Sequence, residues 1–186
     1  MATIAAGAIA KAGELLGLAG SKPIAEVAIA LVLFKFYPER NCAPWSFGRI
    51  VTLLSLGVAL SVFWVIAFAW GRTIFPDLAA ISPAAIFIGV LSSVVTAPIF
   101  EEKVVRHLLL AGVSGFLNRW VSAALVSVIF ALAHQGSMAW SFLVSIVLCW
   151  LALAKAASSL QRAITHSTVN AMILLWYFSN GFGLAG

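Results

Sequence analysis

The stretch that decides the fold runs from Leu78 to Leu117: LAAISPAAIFIGVLSSVVTAPIF (78–100), EEKVVR (101–106), His107, then LLLAGVSGFL (108–117). No charged residue occurs between Leu78 and Phe100, and the chain is apolar and small again from Leu108. Four ionisable side chains, Glu101, Glu102, Lys103 and Arg106, are therefore set in sequence suited to a bilayer. A charge at the bilayer centre costs about 2.5–3.5 kcal/mol, so four unpaired ones would cost on the order of 10 kcal/mol. They must pair, neutralise or line a wet cavity, and such a cluster marks a functional site. Helical spacing sorts it. Glu102 and Arg106 are i and i+4 with the acid first, the favoured order for a pair. Glu101 lies about 100° round the helix with no cation at i+4. Spacing thus proposes one structural carboxylate, Glu102, and one free carboxylate, Glu101, and gives Lys103 no partner.

The flanking sequence extends this reading to the whole chain. Of its 186 residues, 63% are hydrophobic and 9% charged, against about a quarter charged in soluble domains. The expected fold class is all-α, a polytopic transmembrane helix bundle of about five spans plus one or two short N-terminal helices. Residues 1–49 read as N-terminal interfacial or short membrane helices and a loop, and 50–186 as the bundle, with a motif core at about 95–180. Ile24 to Tyr37 is apolar but short and contains Glu26 and Lys35. Ile50 to Trp70 is long enough to cross. Gly71-Arg72 and Pro76-Asp77 mark a turn, and Pro83 opens a helix where proline is tolerated. A helix from Pro83 to Leu117 would be about 52 Å long, so it must bend, tilt or split, with a kink expected at Pro98. Val121–His134, Ala139–Ala154 and Ala163–Phe178 read as the remaining helices. The first twenty residues, Ala- and Gly-rich, read as an interfacial or short packed helix. Cys42 and Cys149 make no CxxC pattern and no disulfide is expected.

The net charge of +5 reports orientation here and not nucleic-acid binding. Arg40, Arg49, Arg119, Lys155 and Arg162 fall on one side and Arg72 on the other, so the basic side is expected in the cytoplasm. The expected location is a bacterial cytoplasmic membrane, multi-pass, with membrane lipid and a membrane-associated protein or peptide substrate as partners. Oligomeric state is not legible.

Further polar residues interrupt the later helices. His134 ends a helix one turn after Phe130. His166 and Asn170 share a face one turn apart, and Val169 is expected to point elsewhere. Measured from the basic side, Glu101 and His134 lie deep. His166 lies shallow if its helix starts at Ala163, and the depths agree only if 158–162 dips inward.

EExxxR (Glu101, Glu102, Arg106), FxxxH (Phe130, His134) and HxxxN (His166, Asn170), in this order and each in an apolar helix, resemble the CPBP (Abi) family of intramembrane endopeptidases. That family includes the type II CAAX prenyl endopeptidases. The chain departs from the pattern at Lys103, at Val105 and at His107, the last adding a proton donor beside the motif. The resemblance implies a glutamate-dependent peptidase without a cofactor. Glu101 would be the base that activates water, and His134 would orient that water. His166 and Asn170 would donate to the oxyanion, with Glu102 and Arg106 as the supporting pair. Two other readings compete. In one, Glu101, His134 and His166 bind zinc, a reasonable carboxylate and imidazole set, although HExxH is lacking. In the other, the chain is a non-catalytic immunity or scaffold protein, or a small transporter using Glu101 for protons.

Overall fold

A computed structural model describes residues 20–71 and 81–181 of the chain. The expectations for the first nineteen residues, for the turn at 72–80 and for the tail from 182 lie outside them. The described residues form helices joined by short connections, with no strand among them.

Helix α1 spans Ser21–Phe36 and starts after Gly20, whose left-handed backbone (φ 82°) suits glycine. Helix α2 spans Phe47–Trp64, capped by Ser46 Oγ, and continues with wider π turns over Val65–Ala69. Helix α3 runs unbroken over Pro83–Ser114. Ser82 caps it and Pro83 occupies its first turn, where a missing N–H costs nothing. It is not split at Pro98. Two π-helical segments, Ser92–Thr96 and Glu102–Leu109, absorb the irregularity. It stops before Leu117, at Ser114, because Gly115–Leu117 turns back onto Gly112 and Val113. Helix α4 spans Arg119–Leu132 behind an Asn118 cap, and α5 spans Met138–Lys155. Helix α6 spans Ser159–Gly181, starting one turn before Ala163. Both cysteines are free.

Three of these helical stretches, Phe47–Ala69, Pro83–Ser114 and Gln135–Lys155, are long and apolar enough to cross a membrane, and Arg119–Leu132 is a shorter apolar helix. Their outer faces are apolar: Phe47 is 82% exposed, Phe87 67% and Ile66 63%. Water would not tolerate such a surface, whereas lipid does. The chain is an integral membrane protein.

Helix α6 carries its polar residues inward. Gln161 and Thr165 are fully buried, and Thr165 Oγ1 donates to Leu53 O of α2 at 3.0 Å. The two helices touch so closely that a Cβ on Gly57 would lie 2.6 Å from Thr168 Cβ, the close approach that small residues permit in membranes. Leu53, Trp64, Val144, Leu148 and Val169 form the core between α2, α5 and α6. Leu110, Val126 and Cys149 join α3, α4 and α5, and Ala30 with Phe100 seats α1 on α3.

The bundle has two unlike ends. Arg49 Nη2 donates to Lys155 O at 2.8 Å, and Ala43 N to Ala156 O at 2.9 Å. These contacts gather the start of α2 and the end of α5 at a basic end. At the other end Trp64 meets Tyr177 and Phe63 meets Trp140, with ring centroids 5.8 and 6.4 Å apart.

Candidate active site

The site is built on the two π segments of α3. In the first, Ala97 N–H donates five residues back to Ser92 O. The next bond in that register would need an N–H on Pro98, which has none. The carbonyl of Ser93 is thereby freed, and Asn170 Nδ2 of α6 donates to it at 2.7 Å. Proline and asparagine together fix the spacing of α3 and α6. Such wide turns recur at functional sites.

The second π segment opens at Glu102, whose side chain is fully buried. Glu102 Oε1 accepts from Arg106 Nη1 at 3.0 Å and from His166 Nδ1 at 3.1 Å, and Oε2 accepts from Arg162 Nε at 3.1 Å. Three donors saturate this carboxylate, as burial demands. Arg162 also donates to Glu102 O, Ser159 Oγ and Ala157 O. It is thus no loop charge, being 3% exposed inside the bundle, although it keeps the expected side, lining a cavity with Arg40 and Arg119. The early start of α6 puts it there, and the inward dip of 158–162 removes the conflict of depths. The guanidinium of Arg106 lies over the Phe130 ring at 4.1 Å, a desolvated cation–π contact. Phe130 also stacks on His134 at 4.3 Å between centroids.

Glu101 is differently placed. Its side chain is 25% exposed against 0% for Glu102. Its one ionisable contact within 4 Å among the described residues is His166, with Nε2 3.8 Å from Glu101 Oε2, too long for a direct bond and short enough for one water to bridge. His134 Nδ1 lies 2.8 Å from Phe130 O. A carbonyl only accepts, so Nδ1 carries the proton and neutral His134 keeps its lone pair on Nε2. Glu101, His134, His166 and Asn170 all line one cavity of about 370 Å³. Val169, expected to point elsewhere, lines it too. Trp64, Ser137 and Tyr177 place that cavity toward the aromatic end, and Lys22, 64% exposed, stands at its rim. Among the described residues no three His, Cys, Asp or Glu side chains meet at metal-ligand spacing.

Lys103 gains the account that spacing could not give. Its Nζ donates to Tyr37 O at 2.6 Å and to Glu39 Oε1 at 3.2 Å, over the Phe34 ring. Glu39 Oε2 accepts from Ser159 N at 2.7 Å and so caps α6. Burial alone would raise the Glu39 carboxyl, but the Ser159 bonds and the Lys103 charge outweigh it and hold it below the ordinary value. His107 faces Glu39 at 3.8 Å and lines a second cavity with Arg40 and Arg119. It is not a proton donor in the cavity of Glu101. The signal for Arg162 was available, since Arg162, His166 and Asn170 are spaced i, i+4 and i+8. Glu39, about sixty positions before Lys103, carried none.

The family model described as Type II CAAX prenyl endopeptidase Rce1-like matches residues 83–172, just under half of the chain and all three motifs. No curated protein and no solved structure matches it. Over residues 83–172 the chain is thus similar to the Rce1-like family of type II CAAX prenyl endopeptidases.

Proposed function

We propose that the chain is an intramembrane endopeptidase in which Glu101 activates a water held between Glu101, His134 and His166. The observation that carries this is the contrast between the two carboxylates: Glu102 is saturated and dry, Glu101 is partly exposed in a cavity shared with both histidines and Asn170. A base needs reach to water and freedom from a competing cation. Glu101 has both. His134, with Nδ1 committed to Phe130 O, offers Nε2 to orient that water. The Asn170 amide spends one N–H on Ser93 O and keeps the other for the oxyanion. His166 donates from Nε2 only when doubly protonated, because its Nδ1 proton is held by Glu102. Glu102, Arg106 and Arg162 hold His166 in place and meet no substrate. The bundle crosses the membrane about five times in this reading, with α4 and α6 completing the three longer spans.

If Asn170 supplies an oxyanion donor, Asn170→Ala lowers kcat by about a hundredfold or more with little change in KM. The lipid-facing Leu175→Ala, 57% exposed, serves as control. An Asn170→Ala enzyme with wild-type kcat and only a raised KM would assign the residue to substrate binding instead.

The same reading takes the basic end as cytoplasmic. The cavity lies toward the opposite end, so the substrate reaches it from that side. This favours a peptide presented at the outer leaflet over a soluble cytoplasmic one.

A further inference from the structure

We infer that Glu26, on α1 and outside the matched segment, is a positioning residue for Asn170; this rests on the peptidase reading above. Glu26 is 5% exposed, in a helix with few other polar residues. Its Oε2 accepts from Thr96 Oγ1 at 2.5 Å and from Ser92 Oγ at 3.3 Å. Its one ion-pair contact among the described residues is the exposed Lys22, 3.8 Å away. A buried carboxylate held mainly by two neutral hydroxyls is a costly way to pack a helix, and an apolar side chain of similar size would be cheaper.

What the carboxylate holds explains its presence. Ser92 and Thr96 are the first and last residues of the first π segment. Between them lies Ser93, whose carbonyl, orphaned by Pro98, anchors the Asn170 amide. Ala97, adjoining the segment, and Ser93 within it both line the catalytic cavity. One carboxylate from α1 therefore clamps both ends of the turn that sets the Asn170 donor. A wide turn pinned at both ends keeps one register. Unpinned, it can relax toward ordinary α geometry and carry the Ser93 carbonyl away. Displacement of a catalytic group by about 1 Å costs on the order of a hundredfold in rate.

The test uses the purified full chain in detergent with a cleaved peptide. Glu26→Leu and Thr96→Val each lower kcat by about tenfold to a hundredfold at nearly constant KM. Glu26→Gln, whose amide can still bond both hydroxyls, recovers most of that loss. Combined with Asn170→Ala, Glu26→Leu lowers kcat by less than about twofold further, because both act through one donor. Multiplicative losses in that double variant, or an unchanged kcat in Glu26→Leu, overturn the inference. If the wild type cleaves nothing, the peptidase reading fails instead; if Asn170→Ala cleaves with wild-type kcat, the peptidase reading stands, but the donor role of Asn170 fails and this inference with it. A second readout is then independent of activity. The side-chain ¹⁵NH₂ resonance of Asn170, assigned by its loss in Asn170→Ala, moves or broadens in Glu26→Leu and returns in Glu26→Gln. An unmoved resonance in Glu26→Leu overturns the inference whatever the enzyme does.

Discussion

Replacing Glu102 by glutamine should cost far more stability than the same change at Glu101, one residue away. Glu102 is fully buried and takes Arg106 Nη1, Arg162 Nε and His166 Nδ1. Glutamine keeps the shape, removes the charge and turns an amide toward cationic donors. Arg106 and Arg162, each 3% exposed, are left without the carboxylate they share. Removing one partner of a buried pair costs about 3–5 kcal/mol. For a chain of this size each kcal/mol lowers Tm by about 2–4 °C, so the expected drop is about 6–20 °C. Glu101, a quarter exposed with one ionisable contact at 3.8 Å, has at most a pair worth about 0–1 kcal/mol, and its change should move Tm by no more than about 4 °C. Intrinsic tryptophan fluorescence on heating in detergent reads both variants, with size-exclusion profiles as the folding control. A Glu102→Gln protein melting within 2 °C of wild type, or a Glu101→Gln protein melting lower than it, would refute the division of the pair, the 2 °C margin being about 1 kcal/mol or less.

Two further outcomes follow from the site. Peptide cleavage should survive exhaustive treatment with 1,10-phenanthroline; loss restored by zinc and not by magnesium would make Glu101, His134 and His166 metal ligands. A cysteine introduced as Ser137→Cys, at the cavity, should react with a membrane-impermeant maleimide added to intact cells, while the native Cys42 beside the basic end stays unlabelled until the cells are opened. The reverse pattern would place the cavity on the cytoplasmic side.

Much of this arrangement was legible because membrane sequence is strict. The helices were readable from length and hydropathy to within a few residues, and spacing alone set Glu101 apart from Glu102. The misses share one cause: polar residues that satisfy one another across the bundle look like loop residues in the chain. Ser159, Gln161 and Arg162 read as the end of a connection, yet they open α6, because Glu39, Ala43 O and Glu102 accept from them. Lys103 had no partner at helical spacing because its partners, Tyr37 O and Glu39, lie on another element. The π segments left no periodic mark either. Pro98 announced a disturbed backbone, but its remedy, the amide of Asn170, lies in another helix. Val169 was misjudged because, in a tightly packed bundle, the residue beside Asn170 can line the same wall of the cavity.

The central claim is that Glu101 makes this chain a peptidase, and its most direct test is a comparison of peptide termini in membranes of cells expressing the wild type or Glu101→Gln at equal levels. New termini should appear with the wild type and be absent with Glu101→Gln, while the variant inserts and melts as the wild type does. The same set of new termini in both would contradict the account.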